Sequence, residues 1–109
     1  MVVNPSSAQA LSEPEVAKIA QEVTVLIAPR NEENRYGSGI LLAKEGDIYY
    51  VLTAHHVVKA PEQYEAQTAD GAIHALERGA IRKLPGVDLA IAQFSSSRTY
   101  RTVELEETM

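Results

Sequence analysis

The apolar positions of this chain switch from a helical period to a strand period at Val23. Before it, Val16, Ile19, Ala20 and Val23 recur at i, i+3, i+4 and i+7, the apolar face of a helix. Ser12-Glu13-Pro14-Glu15 precedes them in the S-x-x-E form of a capping box, and proline is tolerated in a first turn. The pattern predicts a loose leader over 1–11, then a short helix over 13–22 that packs on the body of the domain. After it come β-branched and alternating runs. Val23 to Ala28 reads as a strand closed by Pro29, and 31–35 as a polar loop. Gly37 to Ala43 and Ile48 to Thr53 form a hairpin around Glu45-Gly46-Asp47. Gln63 to Thr68 is a strand, and Ala69-Asp70-Gly71 a turn. Ile73 to Ala75 and Ala80 to Leu84 read as two short strands or one bent one. Pro85-Gly86 precedes the strand Leu89 to Phe94, Ser95 to Arg98 is a turn, and Val103 to Leu105 is a closing strand. Short strands between frequent turns predict an all-β fold, a small antiparallel six-stranded barrel preceded by one helix. The division is a leader and helix over 1–22 and a barrel over 23–109.

Composition narrows the function. The 109 residues make one domain, and 45% apolar residues are enough to fill its core. With no cysteine, neither a disulfide framework nor a thiol nucleophile is available. The net charge is −5 and the basic residues form no dense run, which argues against a nucleic-acid partner. No apolar run approaches the roughly 20 residues of a membrane-spanning helix. Met1-Val2-Val3-Asn4-Pro5 lacks the basic and apolar regions of a signal peptide. Two compartments therefore stay open: cytoplasmic, or periplasmic or secreted if a signal has been removed.

Two segments carry candidate chemistry. Thr53-Ala54-His55-His56 places histidine on a turn after an apolar strand, and Asp88-Leu89-Ala90-Ile91 places a carboxylate at the start of another. A histidine base needs an acid to fix its tautomer and steady its imidazolium. A carboxylate embedded in an apolar strand is costly unless it is hydrogen-bonded. Other candidates read as structural. Ser38 in Tyr36-Gly37-Ser38-Gly39 fits neither G-x-S-x-G nor G-x-S-G-G, and its glycines suit a close backbone approach. Ser95, Ser96 and Ser97 form a polar turn. His55, His56 and His74 lack metal-ligand spacing, so no metal is expected. Tyr49, Tyr50, Tyr64 and Tyr100 are ordinary strand residues, and Glu104, Glu106 and Glu107 a solvated end.

Gly37-Ser38-Gly39, Thr53-Ala54-His55-His56, Asp70-Gly71 and Asp88-Leu89-Ala90 stand in an order that resembles the N-terminal barrel of the trypsin-like (chymotrypsin-fold) serine proteases, in their bacterial form. The resemblance covers about 23–106. It implies that His56 is the general base of a Ser-His-Asp triad and Asp88 its orienting carboxylate. His55 fills a position where the family carries a small residue. In the family a second barrel follows, bringing G-x-S-G-G, the oxyanion hole and the substrate pocket, and the 109 residues contain none of these.

Two functions follow as expectations. One is the N-terminal half of a serine endopeptidase, acting on polypeptide without metal or cofactor once a second barrel completes it, and inactive alone. The other is a non-catalytic interaction or regulatory module. That module would self-associate, or bind a protein partner, through the face that a second barrel otherwise covers.

Overall fold

The computed structural model describes residues 12–32 and 37–103. Ser12 caps helix α1 (Glu13–Val23), its hydroxyl oxygen accepting from the Glu15 N–H while its hydroxyl donates to the Glu15 carboxylate at 2.9 Å. No turn separates α1 from strand β1 (Thr24–Pro29). The Thr24 N–H and hydroxyl both donate to the Ala20 carbonyl, so the helix runs straight into the strand. This geometry overturns one expectation. The helix does not lay its apolar face on the barrel: Val23 alone is buried, Val16 is 50% exposed, and an Arg101–Glu22 ion pair of 3.3 Å ties down the last turn.

Strand β2 (Gly37–Glu45) and β3 (Ile48–Thr53) form the predicted hairpin, with Gly46 at positive φ in its turn. A four-residue helix, α2 (His55–Val58), follows β3. Then come β4 (Tyr64–Gln67), β5 (Ile73–Ala75), a 3₁₀ turn (Arg78–Ala80), β6 (Arg82–Lys83) and β7 (Ala90–Ser95). All neighbours in the sheet order β5-β4-β1-β2-β3-β7-β6 are antiparallel. Among the described residues the sheet therefore has seven strands rather than six, because the 3₁₀ turn makes β5 and β6 separate elements at opposite edges. It curls into a half-barrel. Beyond β5, the Leu76 N–H donates to the Tyr64 carbonyl (2.9 Å) and the Glu77 N–H reaches the Gln93 carbonyl of β7 (2.7 Å).

Period-two alternation fills the interior. Val25 and Ile27 of β1, Leu41 of β2, Tyr49 and Val51 of β3, Ala66 of β4 and Ala92 and Phe94 of β7 are buried, with Leu76 closing the core. The residues between them face outward, as Leu26 and Ile40 do. Of the predicted closing strand, Val103 is not in a strand. Its N–H nevertheless donates to the Leu41 carbonyl beyond the end of β1. Glu104 and Leu105, the acidic end, the leader over 1–11 and the loop residues 33–35 lie outside the described residues.

A polar clasp secures the turn after β4 to the chain after β7. Asp70 accepts from the Thr68 hydroxyl (2.6 Å), the Ala72 N–H (3.1 Å), the Arg98 guanidinium (2.8 Å) and the Tyr100 hydroxyl (3.0 Å). Both hydroxyls give their proton to the carboxylate, so their lone pairs face His74 Nε2 at 3.2 and 3.0 Å. That arrangement places the neutral ring's proton on Nε2. The ring stacks on Phe94 at 4.4 Å, and the buried Tyr49 hydroxyl bridges the Arg98 carbonyl and the Tyr100 N–H. Sequence reading treated Asp70 as a turn residue and Tyr100 as an ordinary strand residue. Their contact spans a chain separation that no local pattern reports.

Partial burial lowers the His74 pKa below 6.5, outweighing the opposing pull of Asp70. The unfolded chain then binds more protons than the folded one as pH falls through 6.5, so the His74 contribution to stability is present above that pH and is lost below it. In urea unfolding between pH 7.5 and 5.5, the wild-type midpoint is expected to fall more steeply than that of His74→Gln. Parallel curves would show that His74 does not titrate differently in the two states.

Candidate active site

The histidine turn is fixed by three packing facts. Thr53, 3% exposed, donates its hydroxyl to the Ser38 carbonyl at 2.7 Å and pins the end of β3 to β2. Gly37 lies directly beneath Val57, so a Cβ there would fall among the valine methyls. Gly39 is as close-packed: its Cβ would come within 2.7 Å of Val51 and 3.0 Å of the Leu52 carbonyl. The G-S-G segment thus serves approach between β2, β3 and α2. Ser38 contributes its carbonyl to Thr53.

Ala54, the N-cap of α2, has no side chain that can cap the helix. Asp88 supplies the acceptors instead. Its Oδ1 accepts from the His56 N–H at 2.9 Å and its backbone carbonyl from the His55 N–H at 3.2 Å. Oδ2 stands 2.6 Å from His56 Nδ1. The two residues brought forward by sequence reading are therefore in direct contact. Asp88 itself lies in the bend before β7, not within the strand. That bend is held by the Leu84 N–H to the Leu89 carbonyl, by Gly86 at positive φ, and by Lys83 Nζ, which donates to the Leu84 and Val87 carbonyls at 3.0 Å each. Sequence reading did not single out Lys83, for its partners are backbone atoms.

The hydrogen bond from the His56 ring, with that from the His56 N–H, holds the Asp88 carboxyl below its ordinary 3.8 against a smaller desolvation effect. An ionised Asp88 accepts a hydrogen bond from the Nδ1–H, which leaves the Nε2 lone pair free to accept a proton. His56 borders a groove with Ile27, Pro29, Gly37, Val57, Lys59, Ala60, Glu62 and Tyr64. Both side chains of the pair are open, 66% exposed for His56 and 56% for Asp88. His55 borders a different groove and His74 belongs to the clasp, so the three histidines do not converge. Among the described residues no three His, Cys, Asp or Glu groups could hold a metal.

Because the depressed Asp88 pKa depends chiefly on the His56 ring, His56→Ala is expected to move the Asp88 carboxyl titration upward, toward 3.8. Carbon-13 NMR of the side-chain carboxyl reads this directly. A midpoint unchanged by the substitution would assign the depression to the backbone donor instead.

No curated protein matches the chain. A family model described as a trypsin-like peptidase domain matches residues 37–109, taking in the G-S-G segment, the histidine turn and Asp88. The match covers well over half of the 109 residues, and with the curled half-barrel beneath it, the chain belongs to the trypsin-like peptidase domain family.

Proposed function

We propose that this domain is the histidine- and aspartate-bearing half of a trypsin-like serine endopeptidase. The observation that carries the reading is the 2.6 Å contact between Asp88 Oδ2 and His56 Nδ1, on a histidine that borders a groove. In the reaction, His56 Nε2 takes the proton of a serine hydroxyl as that oxygen attacks the scissile carbonyl. It then returns the proton to the leaving amine. Asp88 holds the ring in the Nδ1–H tautomer and stabilises the imidazolium. The serine and the oxyanion donors come from a second barrel, since no G-x-S-G-G occurs in the 109 residues. Substrate is polypeptide, and neither metal nor cofactor takes part.

The 109-residue chain alone is expected to form no adduct with a fluorophosphonate and to cleave no peptide, because it lacks nucleophile and oxyanion donors. In a polypeptide joining it to a serine-bearing barrel, His56→Ala should lower kcat on the order of 10⁴-fold or more. Peptide hydrolysis that survives His56→Ala would sink the reading.

A second reading is favoured by the apolar rim of the pair. Val87 (48% exposed) and Leu89 (37% exposed) flank the open Asp88. Such a rim suits a protein partner, and a domain without its second barrel presents it to another copy. Light scattering of the 109-residue chain should then show mass rising with concentration, and Val87→Ser with Leu89→Ser should suppress the rise. A monomer mass throughout would refute this reading.

A further inference from the structure

Three of the ten lysine and arginine residues of this acidic chain line one groove beside the candidate site. Lys59, Arg78 and Lys83 line it with His55, Val58, Ala60 and Ile81, and among the described residues Glu62 is its one carboxylate. Its volume is about 340 Å³. Among the described residues none of the three cations is ion-paired. Each retains donors. Lys83 gives two of its bonds to backbone carbonyls, Arg78 Nη2 donates to the Pro61 carbonyl at 3.2 Å, and both residues line the groove. Lys59, Ala60 and Glu62 line both this groove and the one at His56, so the two are neighbours.

We propose that this basic groove is a subsite for an acidic side chain of the polypeptide engaged at His56. The inference rests on the peptidase reading for what lies at His56, and it adds the chemical class of substrate. A net charge of −5 repels acidic polypeptides at long range, so a local concentration of cations beside the reacting centre selects for them there. The cations come from three elements, the end of α2, the 3₁₀ turn and β6, so the fold assembles what the sequence scatters. Charge-assisted hydrogen bonds from a guanidinium and ammonium groups suit a carboxylate, and an extended peptide passing His56 along the shared wall enters the groove.

The test uses the nitrogen-15-labelled 109-residue chain at low ionic strength. It is titrated with a capped heptapeptide carrying three consecutive glutamates, with its glutamine counterpart, and with inorganic phosphate. The glutamate peptide is expected to shift the resonances of Lys59, Arg78, Ile81 and Lys83, and to bind about tenfold more tightly than the glutamine peptide. Lys59→Gln with Arg78→Gln should erase most of that preference. Glu62→Gln should raise it, a gain that misfolding does not produce. Equal binding of the two peptides, a preference untouched by the double substitution, or phosphate reproducing the shifts at equal affinity would each overturn the proposal. Binding needs no nucleophile, so loss of the peptidase reading leaves this result standing. Conversely, His56-dependent hydrolysis without charge-dependent binding removes the subsite alone.

Discussion

The rest of the site depends on the two carboxylate oxygens of Asp88. A four-residue helix has no stability of its own, since nucleation costs more than its few bonds return. Helix α2 exists because its free N–H groups find acceptors on Asp88 and because Val57 and Val58 pack downward, Val57 over Gly37 and Val58 into the core. The carboxylate that caps the helix is the one that holds the His56 ring. One group thereby sets the position of the backbone, the orientation of the imidazole and the nitrogen that carries its proton. Losing it removes the cap and the ring's partner together.

What the sequence disclosed follows from the same logic. The G-S-G, T-A-H-H and D-L-A segments were legible because each is a local solution to a close contact. Gly37 and Gly39 leave room for Val57 and Val51, Thr53 reaches the Ser38 carbonyl, and Asp88 stands one bend before a strand. The alternation of Val25, Ile27, Tyr49, Val51, Ala92 and Phe94 likewise declared the inner face of the sheet. The periodicity of α1 showed that the helix has an apolar face but not what covers it, and its direct run into β1 carries that face away from the core. The Asp70–His74–Tyr100 clasp was hidden for another reason. Its members meet only after the sheet curls, and no spacing in the chain encodes that meeting. Lys59, Arg78 and Lys83 were passed over because a search for dense basic runs misses cations gathered by folding.

Exposure finally sets what the His56–Asp88 pair does unaided. With both side chains more than half open, water screens the attraction between imidazolium and carboxylate. What keeps the geometry is the directed bonding of Asp88 to the backbone of α2, through Oδ1 and through its main-chain carbonyl. Those bonds hold the ring in place while both side chains of the pair stay open to solvent. A surface laid over Val87 and Leu89 excludes that water, and the same contact that hides the apolar rim strengthens the charge interaction beside it.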